Sequence, residues 1–367
     1  MKKPLFILSP CGTSLLSNQA IDAERRLVGE CANIKQFEQI PQEYRHKLQA
    51  LVNRAEKKLK NADIASASCM SAELNGIIKY YGGQLRAQRD HHVLLCTDTW
   101  IGEKTANLVA EWLGSNDLAV EVKRQIDLQT EDIASFQCGL SEIVKWCDET
   151  IHSYRKAGYH IVFNLTGGFK SVQGFLQTLA TFYADEAVYI FETAKELLRI
   201  PRLPVEMAAE GYVRKNLITF RRLSKDLSVT NASNIPETLL LKINGSIALS
   251  PWGDLVWQQT RRKIYSQELL PSPSEKLRFS GGFERSVGGI PADRLILVNE
   301  RIDQMARFLE TNGEYNPPSL DFKKLRGSRR GHSTHEVDAW ADRDAKRIYG
   351  HYEGGEFVID TLGDALH

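Results

Sequence analysis

No stretch of this sequence approaches the ~18 to 20 consecutive apolar residues that a bilayer-spanning helix needs. The apolar run at residues 5–8 is cut off by Pro10, too short for a signal peptide. A cytoplasmic protein with no membrane partner is the expectation. Charge of one sign is missing too: 47 Lys and Arg stand against 46 Asp and Glu, a formal net charge of +1. Any polyanion site must therefore come from local clustering of cations. The six cysteines form no Cys-x-x-Cys pair and all fall in the N-terminal half, so they read as reduced, mostly buried thiols. No metal site is apparent, no Gly-x-Gly-x-x-Gly opens the first helix as a dinucleotide fold would require, and no helix-turn-helix signature is present.

What is there is ordinary globular material, 367 residues with 42% hydrophobic and 25% charged, enough for two or three domains. Strands are expected at 5–8, 92–97, 161–164 and 187–191, alternating with amphipathic helices, the first helical region running to Asn61. That rhythm predicts a mostly parallel α/β sheet. Pro201 and Pro204 end it, and a first domain over 1–200 is expected. A helical connector over 201–270 follows, basic at Arg214, Lys215, Arg221, Arg222 and Lys225. Pro271, Ser272, Pro273 and Ser274 then lead into a last domain over 271–367. That domain reads as a strand at 276–283, a helix at 292–309 and a meander at 335–341, 345–352 and 356–362, a small α+β fold.

The most informative segment is Asn164-Leu165-Thr166-Gly167-Gly168-Phe169-Lys170-Ser171, at the carboxyl end of one strand and the start of a helix. Free helix N–H groups and the helix dipole favour phosphate at such a place, the glycines allow close backbone approach, and Lys170 supplies a point charge. Alone it would be a common tight turn. It is accompanied by Pro10, Cys11, Gly12, Thr13 and Ser14 after the first strand, by Ser71, Ala72 and Glu73, and by Thr97, Asp98 and Thr99 after another. Together these resemble the CARF family, the CRISPR-associated Rossmann-fold sensors, over roughly residues 1–200. The resemblance implies a Rossmann-like sensor with helices on both faces of its sheet. It also implies a homodimer that binds cyclic tetra-adenylate, or the hexa-adenylate, across its two-fold axis. Cys11, Gly12, Thr13, Ser14, Asp98, Thr99, Asn164, Thr166, Gly167, Gly168 and Lys170 are the implied ligand contacts. Whether such a sensor also degrades its ring slowly is left open.

Two Arg-x4-His spacings, Arg86 to His91 and Arg155 to His160, precede predicted strands and are read as structural. The segment 321–367 instead resembles the RelE and HigB toxin ribonucleases. It carries Phe322, Lys323, Lys324, Leu325, Arg326 and Gly327, then the Glu336 strand, then Lys346, Arg347, Ile348 and Tyr349, then Phe357, Val358 and Ile359. The resemblance implies a metal-independent endoribonuclease in which the RNA 2′-hydroxyl attacks the adjacent phosphate, with Arg347 foremost and Lys324 and Arg326 next in stabilising the charge. Glu336 and Asp338 stand where RelE itself has lysines, so acid and base roles fall to Glu336, His335, His351 or His367. Lys323, Arg329 and Arg330 join the cationic run as an RNA footprint, and ribosome-bound messenger RNA is an implied partner.

The combined expectation is a type III CRISPR ancillary effector. A cyclic oligoadenylate acts as activator of a RelE-like ribonuclease with no cofactor and no metal requirement. The alternatives are an oligoadenylate-gated binding module and a transcriptional regulator, both without nuclease activity.

Overall fold

The computed structural model describes residues 3–85, 89–128, 132–168, 170–191, 196–243, 245–325 and 331–365. The chain divides into two compact units, Met1–Glu206 and Met207–His367.

In the first unit, β1 (Leu5–Pro10) is buried at every position. An all-apolar strand of this kind belongs in the middle of a sheet covered on both faces. It pairs in parallel with β2 (His91–Thr97) on one side and with β4 (His160–Asn164) on the other, so that Leu8 lies between Val93 and Phe163. The parallel strands β3 (Ala119–Gln125) and β5 (Glu186–Tyr189) extend the two sides. Strand β6 (Leu198–Pro201) then closes one edge antiparallel, in the order β3-β2-β1-β4-β5-β6. Among the described residues eight α-helices surround this sheet: α1 (Ser14–Ser17), α2 (Asp22–Glu30), α3 (Gln42–Lys60), α4 (Ile64–Met70), α5 (Ala72–Tyr80), α6 (Trp100–Ser115), α7 (Ile133–Lys156) and α8 (Lys170–Tyr183). Side chains alternate along a strand. Phe6 therefore meets Tyr154 of α7 at 4.5 Å between ring centroids, while Leu5 and Ile7 cluster with Tyr80 and Tyr81 at the end of α5. Helices α5 and α7 thus cover opposite faces.

The helical region expected to run to Asn61 is broken into separate helices. Pro41 has no N–H to donate and sits at the N-cap of α3. Strands β3 and β6 were not anticipated: β3 is an edge strand rich in polar residues, and β6 is exposed throughout and ends on Pro201.

The second unit begins with α9 (Glu210–Lys215), α10 (Leu217–Leu223), the hairpin β7 (Leu240–Ile243) and β8 (Ser246–Leu249), and α11 (Pro251–Tyr265). The rest is β9 (Leu277–Phe279), α12 (Gly281–Val287), α13 (Ala292–Glu310), β10 (Lys323–Lys324), β11 (His335–Trp340), β12 (Lys346–Glu353) and β13 (Glu356–Asp364). The five-stranded sheet runs β10-β11-β12-β13-β9, antiparallel except for β13 with β9. A two-residue turn of Gly354 (φ 60°) and Gly355 (φ 92°) joins β12 to β13, a conformation that favours glycine at both positions. The strand expected at 276–283 stops at Phe279, because the Ser280 hydroxyl accepts from Phe283 N at 3.1 Å and starts α12.

The stretch read as a connector is part of this unit. Arg221 of α10 is wholly buried and donates through Nε to Asp303 of α13 at 2.7 Å; the Tyr265 hydroxyl of α11 donates to the same carboxylate. Burial raises the Tyr265 hydroxyl well above the ordinary value, with Asp303 adding to it.

Candidate functional site

In the first unit a cavity of about 880 Å³ opens where the carboxyl ends of β1, β4 and β5 meet α4, α5 and α8. Gly12, Thr13 and Ser14 line it from the first turn, and Thr166, Gly167, Gly168 and Lys170 from the second. Ser68, Cys69, Ser71, Asn75, Lys79 and Gln173 add polar walls, and Tyr189, Ile190 and Phe191 an apolar one. Side-chain charge on this lining comes from Lys79 and Lys170, both positive, which suits an anionic ligand with many hydrogen-bonding groups.

The two turns touch. A Cβ on Gly12 would meet the Gly168 backbone at 3.3 Å, and one on Gly168 (φ 98°) would come within 2.7 Å of Pro10 Cβ. A Cβ on Gly167 would come within 2.3 Å of Glu73 Oε1. Asn164 works from beneath: its Nδ2 donates to Ser9 Oγ and to the Glu73 carbonyl, both at 3.1 Å, while Gln173 Nε2 donates to the Gly167 carbonyl at 2.9 Å. Glu73 is wholly buried and gathers the first turn, accepting from Gly12 N at 2.9 Å, Ser14 Oγ at 2.6 Å and Ser71 Oγ at 2.5 Å. Its structural importance was not legible beforehand, since nothing in the local pattern distinguishes it from a capping glutamate.

Four of the residues expected at a ligand do not line this cavity. Asn164 supports the turn. Cys11 is fully buried, and burial, then Glu73, push its thiol well above the ordinary value, so it packs as a neutral group. Asp98 pairs with Lys35 at 2.9 Å, and Lys35 also reaches Asp127 at 2.9 Å. Thr99 caps α6 by accepting from Gly102 N at 3.2 Å. Of the Arg-x4-His pairs, Arg155 is bound to Asp185 at 2.5 Å, His160 lies 3.0 Å from Glu186, and Arg86 is outside the described residues.

In the second unit, Val337, Ile348, Phe357 and Ile359 turn to one face of the sheet, where they pack in one core with Val298, Ile302 and Met305 of α13. Alternation puts Glu336, Asp338, Arg347, Tyr349 and His351 on the other face. There Arg347 Nη1 lies 2.6 Å from Asp338 and 3.6 Å from both Glu336 and Asp321. Lys323 also pairs with Asp321, and this contact, with Arg347 adding, lowers the Asp321 carboxyl. The arginine expected to meet phosphate is thus held by carboxylates. Lys324 is exposed opposite His335, which sits among Phe322, Tyr352 and Phe357; burial, then Lys324, lower the His335 ring pKa and favour its neutral form. Arg326, Arg329, Arg330 and His367 lie outside the described residues.

One assembly was not foreseen. A bulge in β13 inserts Asp360 between the residues paired with Tyr349 and Gly350, and its carboxylate reaches His351 Nδ1 at 2.9 Å. The buried Ser333 hydroxyl donates to the same oxygen at 2.7 Å, and the His332 ring lies 6.5 Å from that of His351. A carboxylate on Nδ1 fixes the imidazole with Nε2 available as a base. No sequence spacing signals this group, because the bulge creates it. Among the described residues no group of three or more His, Cys, Asp or Glu is placed to hold a metal ion, and no helix is long and apolar enough to cross a membrane.

Compared with known protein families, the chain has a CRISPR association. Residues 68–203, a little over a third of the chain, match the model of the family Cas_APE2256, described as a CRISPR-associated protein. That segment holds α5, the Thr-Gly-Gly turn and α8, and stops short of the second unit. No curated protein matches the chain.

Proposed function

We propose that the chain is a type III CRISPR ancillary effector of the CARF and RelE kind. Its first unit binds a cyclic oligoadenylate as a homodimer, and binding turns on metal-independent RNA cleavage by the second. The observation that carries the reading is the cavity at the carboxyl ends of β1, β4 and β5, with Gly12 and Gly168 in contact and Lys170 on its wall. Open parallel sheets bind phosphorylated ligands at this place. The match to a CRISPR-associated family over one of the two turns supports the choice of ligand. Driving such a switch from 1:99 to 99:1 takes about 5.5 kcal/mol of differential binding, within reach of several phosphates engaged in two subunits.

In the second unit the proposed step is attack of an RNA 2′-oxygen on the neighbouring phosphorus with loss of the 5′-oxygen. His351 takes the 2′-proton, His332 returns one to the leaving oxygen, and Arg347, once released by its carboxylates, steadies the phosphorane. The test is RNA cleavage by the full chain with and without cyclic tetra- and hexa-adenylate, in the presence and absence of translating ribosomes. Ring-dependent cutting lost in Arg347→Ala, with ring affinity unchanged, is the expected result. The ion pairs of Arg347 with Asp338, Glu336 and Asp321 favour one second reading, a ring-gated binding module without nuclease activity. Ring binding with no cutting under any condition selects it.

A further inference from the structure

We infer that Glu73 makes the first-turn wall of the cavity a reader of hydrogen-bond donors. A ring's neutral O–H or N–H groups face that wall, and its phosphates face Lys170. The inference rests on the sensor reading above and adds the orientation of the ligand.

The argument is one of proton counting. A carboxylate only accepts, and a hydroxyl carries a single proton. Glu73 accepts from the Ser14 hydroxyl at 2.6 Å, the Ser71 hydroxyl at 2.5 Å and the Gly12 N–H at 2.9 Å. Both serine protons and the one backbone donor of Gly12 are therefore committed inward. Ser14 Oγ also accepts from Ala72 N at 3.0 Å, so what it has left for the cavity is one oxygen lone pair and no proton. A phosphate on this wall would meet acceptors and a buried negative charge, with no donor from these three groups to satisfy it. The Lys170 ammonium on the wall of the second turn supplies what phosphate needs. Ser14 thus presents an acceptor to the cavity, while cations come from Lys170 on the second turn and Lys79 on α5. Two parts of an adenylate ring offer the neutral donor: the ribose 2′-hydroxyl and the exocyclic amine of adenine.

Titration calorimetry of the full chain with cyclic tetra-adenylate, its 2′-deoxy counterpart and cyclic tetra-inosinate separates them. At least one analogue is expected to bind tenfold or more weakly than the parent, and which one names the donor. Glu73→Gln brings N–H donors of its own and releases a serine proton, so the preference shrinks to about threefold or less. Ser14→Ala removes the acceptor while leaving Glu73 bound to Gly12 and Ser71, and should lose the same preference; Lys170→Ala should weaken all three rings alike. Equal affinity for the three rings, or a preference untouched in both Glu73→Gln and Ser14→Ala, overturns the inference while the sensor reading stands. Failure of the wild-type chain to bind any ring overturns the sensor reading and the inference with it.

Discussion

His92 is wholly buried in β2, with Nε2 3.1 Å from the Tyr81 hydroxyl. Burial, with a smaller push from His91, lowers its pKa from 6.5 to about 4. The unfolded chain takes up this proton near pH 6.5, whereas the folded chain resists it until about pH 4. The contribution to stability is therefore complete above pH 6.5 and is lost as pH falls through that window, by about 3 kcal/mol at its lower end. Urea unfolding of the first unit, measured above and within the window, should show this loss, and His92→Gln should flatten it. At the second unit the residue to test is Asp360. Asp360→Asn keeps the shape of the bulge but no longer holds a proton on His351 Nδ1. Cleavage should drop roughly 100-fold and its pH profile should shift, with ring affinity unchanged. An unaltered profile removes the dyad from the reaction.

At the level of elements, the two turns of the first unit's cavity are built by mutual exclusion of side chains. Gly167→Ala would drive a methyl into the Glu73 carboxylate. That change should separate the turn from α5 and weaken ring binding at least tenfold in calorimetry, while the far-ultraviolet spectrum stays that of the wild type. The parallel strands β1, β2, β4 and β5 and these turns could be read in advance because buried strands are continuous apolar runs and glycines mark close approach. Strands β3 and β6 could not, since an edge strand needs neither face buried, and Lys123, Arg124 or Pro201 conceals it. Cys11, Asp98 and Thr99 sit beside the right turns in sequence, yet they serve packing, an ion pair and a helix cap. Proximity in sequence to a strand end does not say which way a side chain leaves it. The dyad of His351 and Asp360 was hidden for a different reason: a bulge changes register by one residue, and register is not written in local composition.

For the whole molecule, two compact units imply two unfolding events. Arg221 and Asp303 join α10 to α13 inside the second unit and are both buried. Asp303→Ala leaves a guanidinium without a counter-charge and should destabilise that unit by about 3 to 5 kcal/mol. Differential scanning calorimetry is expected to show one transition moving down while the first unit's transition stays in place; movement of both together would refute independent cores. The first unit's cavity draws its walls from residues as far apart as Gly12 and Lys170, and the furthest of them, Phe191, still precedes Met207. On a translating ribosome, which adds ~5 to 20 residues per second, every wall of that cavity therefore leaves ahead of the second unit. The cavity can close around its two turns before any strand of the second unit's sheet has been made.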